Sequence, residues 1–505
     1  MNELTIDDPN DAAEYGEFPS KSELLDFLEV HMWPAFEAER DRLAVMDCWF
    51  SGDQPHLNPP QGATPELRAL LELSKTPWLG LVVTSLAQAM YVDGYQSPES
   101  DKDKLKPVWD TWLANGMQKH QVAIHRAALG YGYSYVRVTP GVTPSGKSRA
   151  YIRGVSPKEC LCLYDDPAVD DFPRLALQVK WDRRAGKLTG GATLFLFDST
   201  TMWTIRRDQD KGFEVVKSQP HGSQVVPFVR YTNMLDLDGN APGEIDLNVK
   251  VASRIDKTVY DRLVAQHFGS WKQRWIVGLT DFATSQEDGA RKKLKLAMDQ
   301  IAVFEDTDVK IGDWDATPLD GYLAAKEEDV DDLASVTQLP AHVLRGSRLS
   351  NMAADALAAA SHPLTQKVYE RQVSFGASHE AVLRLAAALD GHGDVAEDFS
   401  AHVTWQDMQI RSLAQAADAL GKMATLLGVP KQALWRLIPG ITQLDVEHWE
   451  QIALDDEDPM NKKWAEEMAS KVPAKVNFGG NPSGSKSPAQ SDASVAGGGV
   501  DRPVG

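Results

Sequence analysis

Leu319-Asp-Gly-Tyr-Leu-Ala-Ala-Lys-Glu-Glu-Asp-Val-Asp-Asp-Leu-Ala-Ser-Val336, followed by Leu339-Pro-Ala-His-Val-Leu-Arg-Gly-Ser-Arg-Leu-Ser-Asn351, decides how this chain is read. The first segment carries apolar residues at helical spacing and a dense acidic run, Glu327, Glu328, Asp329, Asp331 and Asp332. The second contains two helix breakers, Pro340 and Gly346, and two arginines, Arg345 and Arg348, with no acid. An Ala-rich helical pattern follows from Met352 to Leu389, with Ser350 or Asn351 placed to cap its start. Pro363 falls inside that pattern and predicts a kink or a split there. Two helices joined by a basic loop suggest machinery that presents the loop to something anionic.

Upstream, Glu244–Phe268 is helical, with Leu247, Val251, Ile255, Val259 and Leu263 repeating every four residues. Lys250, Arg254 and Lys257 occupy another side of it. Residues 269–317, between the two helices, read as a compact interval placed to project from a helical stalk. It reads as a strand near Lys272–Val277, a basic helix over Glu287–Asp299 carrying Arg291, Lys292, Lys293 and Lys295, then strands at Ile301–Phe304 and Val309–Ile311.

The first part of the chain reads as helices over Ser20–Val45, Thr64–Ser74, Trp78–Tyr91 and Asp103–Leu129. Ser20 or Ser22 offers the first cap, Pro34 predicts a break, and Trp109, Trp112, Met117 and Val122 are candidates for a buried side. At Gly130-Tyr-Gly-Tyr-Ser-Tyr-Val-Arg-Val138 the period changes from helical to alternating, and short strands run to Tyr231. Pro140-Gly141, Arg184-Ala-Gly-Lys and Gly190-Gly191 supply turn chemistry between them. A strand at Ala401–Trp405 and helices over Ile410–Leu427, Lys431–Ile438 and Gln443–Leu454 follow the Ala-rich segment. The Gly-, Ser- and Pro-rich sequence after Lys471 reads as disordered. Segregated helices and strands make the fold class α+β.

At 505 residues there is room for two to four domains. The net charge of −20 argues against broad coating of nucleic acid, yet permits DNA to pass a mostly repulsive wall with local basic points. Three cysteines, Cys48, Cys160 and Cys162, make neither a disulfide framework nor a zinc site. The acidic start Met1-Asn-Glu-Leu-Thr-Ile-Asp-Asp is no signal peptide, and no run approaches the ~18–20 apolar residues that cross a bilayer. The expected protein is soluble and cytoplasmic.

The order of these segments resembles that of portal proteins of tailed bacteriophages, particularly of siphophages infecting actinobacteria. The most family-like text is Thr317-Pro-Leu-Asp-Gly-Tyr, Leu339-Pro-Ala-His-Val-Leu-Arg-Gly and Ser350-Asn-Met-Ala-Ala-Asp-Ala-Leu. The resemblance implies a flexible N-terminus (1–19), an α+β wing (20–243), stem helices (244–268 and 319–338) and a small clip (269–318). A tunnel loop (339–351), a long wing helix with its linker (352–400), a helical crown (401–470) and a disordered tail (471–505) complete it. It further implies a structural, non-enzymatic subunit without cofactor or metal. Such subunits form a ring of twelve at one capsid vertex of the virion, assembled in the host cytoplasm. Double-stranded DNA is packaged and ejected through the ring, and terminase, head-tail adaptor and major capsid protein are its partners, with no membrane involved.

Within that resemblance Arg345 and Arg348 face DNA in the channel, where a ring multiplies each charge. Glu327, Glu328 and Asp331 line the channel or pair between subunits with Lys250, Arg254 and Lys257, or form a solvated helix face. Arg291, Lys292, Lys293 and Lys295 meet terminase, an adaptor or DNA. Two enzyme motifs fail. Gly130-Tyr-Gly-Tyr has helix–loop–strand order, the reverse of a phosphate loop, and Ala185-Gly-Lys-Leu-Thr lacks the upstream glycine of a P-loop. Asp165, Asp166, Asp170 and Asp171 are the strongest enzyme feature, since carboxylates after a strand can hold two metals for phosphodiester cleavage. Pro167 and Pro173 favour a surface hairpin turn instead. The alternatives to a portal are therefore a metal-dependent DNA-processing enzyme, or a head-to-tail adaptor or other capsid interaction protein.

Overall fold

The computed structural model describes residues 20–55, 62, 64–98, 102–143, 145–184, 187–208, 212–270, 274–277, 310–313, 318–346, 354–406, 413–438, 440–441 and 443–457. They divide into one unit within Met1–Gln443 and a second within Leu444–Gly505, which holds nearly all of a helix over Gln443–Glu457. The first unit is a mixed helix and sheet structure, as the α+β reading requires.

Helix α1 (Lys21–Phe27) starts at Ser20, whose Oγ accepts the Glu23 N–H at 3.3 Å. A π-helical turn, Leu28–Met32, leads into α2 (Trp33–Ser51). The irregularity expected at Pro34 thus lies one turn earlier. Pro34 itself sits near the start of α2, where its missing N–H is tolerated. Helices α3 (Pro65–Ser74), α4 (Trp78–Gln88), α5 (Lys102–Ala114) and α6 (Met117–Tyr131) follow, with β1 (Val92–Gln96) between α4 and α5. Trp112 and Met117 are buried as expected, while Ile124 and His125, rather than Val122, take the inward side of α6.

Strand β2 (Tyr133–Val142) pairs with β3 (Ser148–Val155) and later with β9 (Phe228–Thr232) in a three-stranded antiparallel sheet. Pro140 and Gly141 lie inside β2 rather than in a turn, which falls instead at Thr143–Lys147. Between β3 and β9 runs a five-stranded antiparallel meander: β4 (Cys160–Leu163), β5 (Leu175–Arg184), β6 (Lys187–Phe197), β7 (Thr201–Asp208) and β8 (Gly212–Pro220). Alternation assigns its faces. Leu177, Val179, Leu194 and Leu196 pack against Leu24, Leu28, Trp33 and Phe36, while Ala176 and Phe197 pack with Tyr135 and Phe228. Asp165 to Asp171 form the β4–β5 turn. Asp166 and Asp170 accept backbone N–H groups there, and Asp165 pairs with Arg174 at 3.2 Å.

Helix α7 (Glu244–Gly269) and helix α8 (Asp320–Thr337) flank a two-stranded antiparallel ladder of β10 (Arg274–Val277) and β11 (Lys310–Asp313). A short helix α9 (Ala341–Arg345) occupies part of the segment read as a loop, begun by Pro340 and ended by Gly346 at φ +73°. Helix α10 (Ala354–Asp390) then continues without a break through Pro363. Pro363 is exposed, and the residues beyond it pack inward through Val368, Phe375 and Val382, which holds the helix together past one missing N–H. A one-turn helix, α11 (Gly393–Ala396), leads to β12 (His402–Trp405), which pairs antiparallel with β1. Helices α12 (Leu413–Leu426) and α13 (Lys431–Leu434) follow, and a 3-10 turn, Trp435–Leu437, continues from α13. The largest core cluster draws on α4, α6, α7, α8 and α10 through Leu86, Leu129, Ile255, Leu333 and Phe375.

The passage from α6 to β2 turns on Gly132, at φ +98° with no room for a side chain. A Cβ there would stand 1.9 Å from the Ala241 carbonyl oxygen. Gly132→Ala is expected to cost at least about 3 kcal/mol, from the strained backbone plus this clash, read as a lowered denaturation midpoint. A loss below about 1 kcal/mol would contradict this account.

Candidate functional site

The acidic run on α8 is divided by helical spacing. Asp329 and Asp332, three apart, face α7, where Arg254 meets Asp329 at 2.8 Å and Asp332 at 2.5 Å. Thr258 Oγ1 donates to Asp329 Oδ2 at 2.7 Å. Glu327 and Asp331, four apart, face the other way. Arg345 of α9 pairs with the Asp331 carboxylate and donates to the Glu327 carbonyl at 3.1 Å. Arg254 therefore bonds within its own chain, and the Arg345 guanidinium is drawn back onto α8. Lys257 pairs with Asp261 of its own helix, while Lys250 and Glu328 are exposed. Arg348, Arg291, Lys292, Lys293 and Lys295 lie outside the described residues. Arg254 and Asp332 are each about half exposed, so their pair contributes under about 1 kcal/mol.

Beneath this surface lies a buried polar node with no clear sequence signal. Glu244, the first residue of α7, is 1% exposed. Lys367 Nζ of α10 meets its Oε2 at 2.6 Å and also donates to the carbonyl of Thr337, the last residue of α8, at 3.0 Å. Arg371, one turn along α10, reaches Glu244 Oε1 at 3.4 Å and donates through Nε to Asn233 Oδ1 at 2.6 Å. Asn233 donates in turn to the Pro242 carbonyl at 3.0 Å. A carboxylate at a helix N-terminus and an ammonium at a helix C-terminus both follow the helix dipoles. One lysine thus ties the start of α7 to the end of α8.

A second buried group lies where α6, β9 and α10 meet. His125 Nε2 and His379 Nε2 are 2.8 Å apart, and Tyr231 OH is 2.8 Å from His379 Nδ1. Burial holds His125 down to about 3 and His379 well below the ordinary histidine range, His379 with the His125 charge as a further cause. Two imidazoles this close share one bridging proton and stay neutral.

The chain matches the family model of the phage portal proteins, SPP1 Gp6-like, over residues 31–462. It belongs to that family. It is 24% identical over 418 residues to the portal protein of Mycobacterium phage D29, covering 80% of this chain and 84% of that one. It is 25% identical over 354 residues to the portal protein of Mycobacterium phage L5, covering 68% and 71%. The portal resemblance seen in the order of segments is therefore upheld, down to phages of actinobacteria. Portal proteins are structural, non-enzymatic components of the phage capsid.

Two outcomes test the buried groups. Lys367→Met leaves the buried Glu244 carboxylate to Arg371 alone and is expected to cost about 3 kcal/mol, with part recovered on adding Glu244→Gln in a double-mutant cycle. For the histidines, the folded pKa lies below the unfolded one, so the unfolded chain binds more protons in acid. Their contribution is whole above about pH 6.5 and is lost as pH falls from there towards about 3, the folded value for His125. Denaturant titrations should lose about 1.4 kcal/mol per pH unit per histidine below about pH 6, and His379→Gln should remove one share.

Proposed function

We propose that this chain is a portal subunit that assembles into a ring, of twelve copies as the resemblance implies, at one capsid vertex. Double-stranded DNA is packaged and ejected through it. The observation that carries this reading is the family match across residues 31–462. The paired helices α7 and α8, with residues 270–318 between them, support a stem over 244–268 and 319–338 and a clip over 269–318. On the same reading 20–243 is the wing, 339–351 the tunnel loop, 352–400 the long helix and linker, and 401–470 the crown.

DNA contacts in such a channel are to phosphate and independent of sequence, as packaging any genome segment requires. The tunnel loop supplies them through Arg345 and Arg348. The bond from Arg345 to Asp331 supports a loop anchored on the stem, with Arg345 exchanging this carboxylate for phosphate. Glu327 and Glu328 keep the wall repulsive, which suits a chain of net charge −20. Lys250 is left for neighbouring subunits, while Lys257 is held by Asp261 of its own helix and Arg254 holds the stem pair together. The clip cations Arg291, Lys292, Lys293 and Lys295 meet terminase, the head-tail adaptor or DNA, and the wing meets the major capsid protein. Assembly takes place in the host cytoplasm before incorporation into the virion.

Negative-stain microscopy of the purified chain is expected to show rings with a central hole. A monomer that cleaves DNA with magnesium or manganese would refute the proposal. Charge reversal by Arg345→Glu with Arg348→Glu should leave rings intact and reduce packaged or retained DNA. Loss of rings would assign the loop a structural role instead.

A further inference from the structure

A cleft of about 1050 Å³ opens between the three-stranded sheet and the five-stranded meander. One wall carries Arg137 and Arg153, directly opposite each other in the β2–β3 register. Like charges placed across a strand pair repel, and such pairs are normally relieved by an acid nearby. None relieves this one. Arg137 donates to the neutral Gln178 Oε1 at 2.6 Å and lies over the Phe197 ring, while its buried Nε has no partner. The Arg153 side chain is exposed and makes no ion pair or hydrogen bond with any described residue. Burial, and then the Arg153 charge, make Arg137 easier to deprotonate than an ordinary arginine. The opposite wall offers Lys180 beside the half-buried Phe195 and Met202, with Phe197 fully buried beneath Arg137. Two acids also line the cleft, but Asp182 is held by Arg206 at 3.2 Å, leaving Glu159 against three cations.

We propose that this cleft binds an extended acidic peptide of a partner protein, whose carboxylates bridge Arg137 and Arg153. Two features select a peptide over a free anion, the volume and the pair of unlike walls. The volume, about 1050 Å³, lies just above the range for small-molecule sites, roughly 300–1,000 Å³. The cationic wall faces an aromatic one. An extended chain sends successive side chains to opposite sides, so alternating acidic and apolar residues serve both walls at once. Planar guanidinium groups suit carboxylates in bidentate geometry.

The test uses the full chain and the synthetic peptide acetyl-Glu-Phe-Glu-Phe-Glu-amide, titrated by calorimetry. Saturable binding is expected, weakened by added salt and reduced in Arg153→Lys, which keeps the charge but loses the bidentate fork. Arg153→Glu should reduce it by at least about tenfold. The same variant should raise the melting temperature of the free protein, because it turns the repulsive pair into an attractive one. A purely structural Arg153 would lower it. Undiminished binding to Arg153→Glu overturns the proposal. So does equal binding of the Gln-for-Glu peptide, or inorganic phosphate binding as tightly as the peptide.

Discussion

A carboxylate with almost no solvent contact must be matched in charge and hydrogen bonds, or it is not tolerated as an ion. Glu244 imposes that condition where three long helices meet. Its position at the first turn of α7 supplies one favourable field, and Lys367 and Arg371 supply the opposing charges. Those two residues are four apart on α10, so one face of that helix must point at the node. The Lys367 bond to the Thr337 carbonyl then sets where α8 ends relative to where α7 begins. The connection ahead of α7 is equally constrained, because Asn233 holds the Pro242 carbonyl and the backbone of Ala241 lies against Gly132. Register among α7, α8 and α10 therefore follows from neutralising one buried acid, with the apolar cluster filling the space around it.

The surface charges obey a looser rule. The acidic run of α8 divides by period into a side that clamps Arg254 and a side that holds Arg345. A block that reads as uniform repulsion along the sequence becomes two local neutralisations and a few exposed carboxylates. For a portal protein of net charge −20 this matters, because the residual basic points, few and placed, decide where an anion can rest. The Arg137–Arg153 pair stands out on the same logic, as positive charge left unneutralised in an acidic chain.

Local pattern carried much of the fold. The helix read at 244–268 is found at Glu244–Gly269, and the one read at 319–338 at Asp320–Thr337. Apolar spacing and breakers mark such ends directly. The change of period at Gly130–Val138 is likewise the passage from α6 into β2. Proline and glycine were read too strongly. Pro363 sits inside a continuous helix because packing beyond it outweighs one lost N–H, and Pro140-Gly141 sits inside a strand because β2 there pairs only with β3, leaving its other edge open for a residue without an N–H. The helix α9 was missed because five residues between breakers are too few for a periodic signal. Nothing local marks Glu244, Lys367 and Arg371 as partners, or His125 and His379, since each set is separated by more than a hundred residues.

What the sequence determined by itself is the succession of helices and strands, the concentration of acid on one helix and of arginine just after it, and through these the portal family. Periodicity and breakers act over a few residues, so they are legible without a fold. What the tertiary structure decided is which charges are spent. Arg254 and Arg345 are bound to α8, the Asp166 and Asp170 carboxylates close a turn, and Glu244 is sealed in the core with two cations. Pairing of charges depends on distance in space, and only folding brings residues so far apart in the chain to within three ångströms.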